Sequence, residues 1–250
     1  MGTLDGKGAL VTGGSRGIGR AIVQRLAADG ASVVFSYLAN TEAAGRVVGE
    51  VTAAGGRALA VQADQGSLAD LRRLSAQAEE WLDGLDIVVI NAAGGGEFPG
   101  LIDEVTEETY DGFMAAHAKG PFFLIQYAGR TLRDGGRIIA ISTLNTRLHP
   151  PGGALYTGAK GALEHFTKVA ALEFGARGIT ANIVSPGATD TELSPPTISP
   201  PTADCCPDTE GDAQFRAGGR DRRPGTGPSG PRPAERRATR FPVSAACPHA

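Results

Sequence analysis

The chain has 250 residues, 24 basic and 27 acidic side chains, a formal net charge of −3 and 41% hydrophobic residues. That length suits one α/β domain, and the mildly acidic balance (pI about 5.8) lacks the basic face that a nucleic-acid backbone requires, so no nucleic-acid partner is expected. No apolar run approaches the roughly 20 residues that span a bilayer, and residues 1–6 carry neither a basic flank nor an apolar stretch. The sequence therefore predicts no signal peptide, no membrane partner and a cytoplasmic location.

In chain order, Ala9-Leu10-Val11 predicts a first strand, followed by a glycine-rich turn and helical spacing at Ile18, Ile22, Val23 and Leu26. Ser32-Val33-Val34-Phe35 is a β-branched second strand, with a helix over 42–54, and Ala58-Leu59-Ala60-Val61 is a third strand. Leu68, Leu71, Leu74, Ala78 and Leu82 mark a helix, and Ile87-Val88-Val89-Ile90 is the most apolar strand. A helix over 107–131 follows, kinked or interrupted at Pro121. Ile138-Ile139-Ala140-Ile141 is a fifth strand, 154–174 a helix, and 179–184 a sixth strand. Strands apolar on both faces and separated by helices predict an α/β fold, a Rossmann-like doubly wound parallel sheet with ligands at the carboxyl ends of its strands.

The composition then changes abruptly. Residues 194–250 hold 11 of the 16 prolines and all three cysteines, but no lysine, and no apolar period survives there. An α/β domain over 1–193 is expected, followed by an atypical tail over 194–250 in which no seventh strand is recognisable. Such a composition fits a disordered interaction tail; an out-of-frame reading of GC-rich coding sequence fits it as well. Cys205-Cys206 has no metal-ligand spacing and Cys247 stands alone, so no metal is expected.

Two motifs carry chemistry. Thr12-Gly13-Gly14-Ser15-Arg16-Gly17-Ile18-Gly19 lies between a strand and a helix, where glycines allow a tight turn and let a diphosphate approach a helix N-terminus. A P-loop would need Gly-Lys-Ser/Thr where this chain has Gly19-Arg20-Ala21. The second strand runs on to Ser36-Tyr37 with no acid until Glu42, and Arg16 is a candidate partner for a 2′-phosphate, which favours NADP (NADPH) over NAD. Tyr156 and Lys160 open the long helix four residues apart, on one face. An ammonium beside a phenol favours the phenolate and makes the phenol a usable general acid/base.

Together with Asn91-Ala92-Ala93-Gly94 and Pro186-Gly187, these motifs resemble the short-chain dehydrogenase/reductase family, 3-oxoacyl reductases among them, over residues 4–193. The resemblance implies that Tyr156 exchanges a proton with the substrate oxygen and that Lys160 binds the nicotinamide ribose. It also implies that Asp64 holds the adenine, that Asn91 with Ala93 and Gly94 lines the cofactor, and that Pro186, Gly187, Thr189 and Thr191 meet the carboxamide. The family's usual serine, thirteen residues before the tyrosine, is here Thr143, with Ser142 beside it as a possible substitute. His117 stands where the family has asparagine; it either relays protons, with a pKa near 6.5 that adds pH sensitivity, or weakens the relay.

The expected function is an NADP(H)-dependent oxidoreductase interconverting a ketone and a secondary alcohol, a 3-oxoacyl or polyketide carbonyl being one class, as a homodimer or homotetramer. A catalytically impaired, dinucleotide-binding sensor or scaffold is the alternative.

Overall fold

The computed structural model describes residues 2–92, 99–189 and 191. The expectations for Ala93, Gly94, the boundary at 193 and the tail over 194–250 lie outside the described residues. Six strands alternate with helices: β1 (Gly8–Val11), α1 (Gly17–Ala28), β2 (Ser32–Tyr37), α2 (Thr41–Ala53), β3 (Arg57–Gln62), α3 (Leu68–Trp81) and β4 (Leu85–Ile90) come first. Then follow α4 (Glu107–Met114), a π turn (Ala115–Lys119), α5 (Gly120–Thr131), β5 (Leu132–Ile141), α6 (Asn145–Leu148), α7 (Ala154–Glu173) and β6 (Thr180–Val184).

All pairings are parallel, in the order β3-β2-β1-β4-β5-β6. This is the doubly wound Rossmann order, whose direction reverses between β1 and β4 and opens a crevice at their carboxyl ends. Alternate side chains of each strand serve different cores. Leu10, Val34, Val88, Ile90 and Ile138 pack with α3, α5 and α7 residues such as Leu74, Leu124 and Leu163. Ala9, Val11, Val33, Phe35 and Val89 pack on the other face with Val23 of α1 and Val47 of α2. Burial on both faces explains why β4 contains no polar position but Asp86. That buried carboxylate accepts from the Gly8 main-chain N–H and from Lys7 Nζ, both at 2.9 Å, and fastens β1 to β4.

The segment expected as a helix kinked or interrupted at Pro121 runs as α4, a π turn and α5. The irregularity lies at Ala115–Lys119, just before Pro121, where the chain takes a π turn. Among the described residues, no helix is long and apolar enough to cross a membrane.

Candidate active site

The turn between β1 and α1 is held from two sides. Thr12 Oγ1 accepts from the N–H groups of Asn91 and Ala92, each at 3.0 Å, at the end of β4. Asn91 Nδ2 donates to the carbonyls of Thr12 (2.9 Å) and Gly13 (3.1 Å). Asn91 thus acts on the loop rather than reaching across it. From β2, Ser36 Oγ accepts from Gly13 N–H at 3.1 Å and Ser36 O accepts from Gly14 N–H at 2.8 Å.

Two glycines here admit no substitute. Gly13 has φ of +69°, and a Cβ on Gly19 would lie 2.0 Å from Gly13 O and 2.5 Å from Asn91 Nδ2. Helices α2, α3 and α4 begin with side-chain caps from Asn40, Ser67 and Thr106, whereas Arg16 gives α1 none. With no acid in its first turn either, the N-terminus of α1 presents donors and a positive dipole end suited to a diphosphate. Ser15 and Ile18 are half-buried, Arg16 is exposed, and Ser36 and Tyr37 end β2 beside the loop. Asp64 is exposed, its Oδ1 accepting from Gly66 N–H at 2.8 Å. The residues present therefore fit a dinucleotide.

Across the crevice, β5 leads into Ser142 and Thr143, and α7 carries Tyr156 and Lys160 on one face. Lys160 is buried, and its ammonium donates to Ile141 O at 2.8 Å. Burial pulls its pKa down to about 8. Ser142 Oγ donates to Glu164 Oε1 at 2.6 Å, which engages its proton. Thr143 Oγ1 accepts from Asn145 N–H at 3.3 Å, which leaves its own proton for another acceptor. Thr146 Oγ1 ties α6 back to Thr143 O (2.9 Å) and to Glu164 Oε1 (3.0 Å). The segment after β6 runs alongside, with Leu144 N–H donating to Pro186 O at 2.9 Å and Thr189 Oγ1 donating to Gly187 O at 3.2 Å. Thr191 follows, half-buried.

His117 lies in the π turn, 3% exposed. Its ring stacks on Phe113 at 4.0 Å and meets Tyr156 edge-on at 6.2 Å. Burial, with the nearby Lys160 charge, pulls its pKa down to about 4. The expected sensitivity near 6.5 is thereby corrected: the imidazole is neutral at pH 7, because the charged form would lie in an apolar, cation-facing site. Gln65, Phe113 and Glu164 were not singled out in the sequence. Only Phe113 left a trace there, four residues before His117 on a helical pattern.

The chain matches the short chain dehydrogenase family over residues 7–200. It is 44% identical over 192 residues to an uncharacterized oxidoreductase of Methylorubrum extorquens, covering 77% of both chains. It is 41% identical over 192 residues to a hydroxynaphthalene reductase-like protein of Metarhizium brunneum, covering 76% of this chain and 71% of that one. A crystal structure of a short chain dehydrogenase from Burkholderia cenocepacia in complex with NADP superposes with a TM-score of 0.73 at 43% identity, over 77% of this chain and 78% of that one. A glycine cradle and a Tyr–Lys helix facing one crevice, on a sheet shared with these relatives, make this chain a member of the short-chain dehydrogenase family of oxidoreductases.

Proposed function

We propose that the protein is an NADP(H)-dependent reductase interconverting a ketone and a secondary alcohol, with Tyr156 as general acid/base. The observation that carries this is the buried Lys160 ammonium, fixed by Ile141 O one helical turn from Tyr156. When bound, the nicotinamide cofactor supplies or takes up the hydride. Gly13, Ser15, Arg16, Gly17, Ile18 and Gly19 would hold its diphosphate, and Asp64 its adenine. Asn91, with Ala93 and Gly94, would line its ribose side, while Pro186, Gly187, Thr189 and Thr191 would face its carboxamide.

Tyr156 donates its phenolic proton to the substrate oxygen in reduction and takes it back in oxidation. Lys160 stabilises the phenolate by its charge and contacts the nicotinamide ribose; Thr143 donates its hydroxyl proton to the same substrate oxygen. Preference for NADP rests on β2, which ends without an acid, on Glu42, engaged with Arg46 at 2.6 Å, and on the NADP bound by the Burkholderia relative. Exposed Phe122 and Phe123 on α5, with Val169 and Leu172 on α7, support a homodimer or homotetramer through these helices. Confinement of cysteine to positions 205, 206 and 247 supports a reducing, cytoplasmic setting.

The test is fluorescence titration with NADPH and NADH, followed by cofactor consumption against a panel of ketones. Tight NADPH binding and ketone-dependent oxidation are expected. Binding without turnover on any ketone would instead favour a sensor or scaffold.

A further inference from the structure

The π turn leaves one carbonyl without a donor from its own helix. Gly120 N–H donates to Ala115 O, five residues back, and so leaves Ala116 O, its ordinary α-helical acceptor. In the π register the next donor to Ala116 O would be residue 121, and Pro121 has no N–H. This part-buried carbonyl takes its donor from outside the helix. Gln65 Nε2 provides it at 2.7 Å, and the same nitrogen donates to Ala92 O at 3.0 Å, beside Asn91 at the end of β4.

The fit is close on the main chain as well, since a Cβ on Gly120 would lie 1.9 Å from Gln65 O. Gln65 is 7% exposed, and its Oε1 has no partner among the described residues. The amide is therefore present for its donor: reversed, it would set an oxygen against two carbonyl oxygens.

We propose that Gln65 is a positioning residue, which holds the π turn in register and so keeps His117 against Tyr156 while tying that turn to the cradle side of the crevice. Removing the donor favours the α register, in which Gly120 N–H returns to Ala116 O. That change rotates the residues before Gly120 relative to α5 and takes His117 off the Tyr156 edge. The catalytic consequence rests on the reductase activity proposed above; the register itself does not.

The experiment compares the parent protein with Gln65→Met, which keeps length without a donor, and with Gln65→Met/Pro121→Ala, which restores a main-chain N–H for Ala116 O. The readouts are the His117 ring resonance, assigned through His117→Asn, and the steady-state constants with NADPH and a ketone. Gln65→Met is expected to move the His117 resonance away from its Phe113-stacked position and to lower kcat about ten-fold with KM little changed. Pro121→Ala should bring both at least halfway back.

A resonance unmoved by Gln65→Met, or one that Pro121→Ala does not restore, overturns the proposal. Gln65→Asn, which keeps the donor on a shorter arm, is the milder probe should Gln65→Met not fold. A smaller displacement in the same direction is expected of it, and none counts against the proposal. An inactive parent protein would overturn the reductase assignment alone, since the resonance still reports the register.

Discussion

On the β1–α1 side of the crevice, polar groups mostly hold one another through the main chain: Thr12, Gly13 and Gly14 bond to Asn91, Ala92 and Ser36 from two strands. On the β5–α7 side, single side chains carry the burden, and one buried ammonium and one buried imidazole sit where charge is costly. The first side is fixed by shape and admits glycine alone at Gly13 and Gly19. The second is fixed by individual contacts: Lys160 by Ile141 O, Ser142 by Glu164, and the His117 ring by Phe113 and Tyr156.

The largest separation of the two sides is expected from Tyr156→Phe. Loss of a positioned general acid should lower kcat by about 10²–10⁴-fold while the NADPH Kd stays within about two-fold. Stopped-flow turnover and fluorescence titration give the two numbers, and a parallel loss of affinity would erase the distinction.

The next effect is on stability in acid. His117 has a pKa of about 4 in the folded protein against an ordinary 6.5, so the unfolded chain binds the proton more readily. Its contribution is complete above 6.5 and is lost as pH falls from there to about 4, a loss of up to about 3 kcal/mol. Urea unfolding at pH 7 and pH 4.5 should show a steeper decline for the parent than for His117→Asn; parallel declines would sink the assignment.

On the cradle side, Gly19→Ala forces a Cβ to within 2.0 Å of Gly13 O. A shift of α1 is expected, costing about 1–3 kcal/mol of stability, with weaker NADPH binding and an unchanged His117 resonance. Smallest is Arg16→Ala, where removing an exposed cation should reduce the NADPH-over-NADH preference by about ten-fold or less. Equal losses for both cofactors would place the guanidinium elsewhere than the 2′-phosphate.

β1 to β5 were legible because each carries an apolar run, but not all of their polar ends were. Arg57 and Gln62 extend β3, and β5 starts at Leu132, well before its apolar run, because Leu85 pairs with Leu132 across a register irregularity. The glycine loop and the Tyr156–Lys160 pair were legible for a different reason, since their residue types are dictated by close approach and by charge. The π turn was only half so. Pro121 marked the place, but the donor that completes the turn comes from Gln65, which no local periodicity connects to it. Likewise Glu164 reads as an ordinary polar helix position, and only the fold brings it to Ser142.

Every strand pairing is parallel, and central β1 pairs Ala9 with Val33 on one side and with Ile87 on the other. No hairpin can form early, and each pairing waits for a crossover connection to close. During synthesis the β1–α1–β2 unit therefore emerges with one edge of β1 open and the glycine loop without its Asn91 bonds. The proposed nucleotide cradle is therefore completed only once β4 has left the ribosome, and until then β1 keeps one edge unpaired.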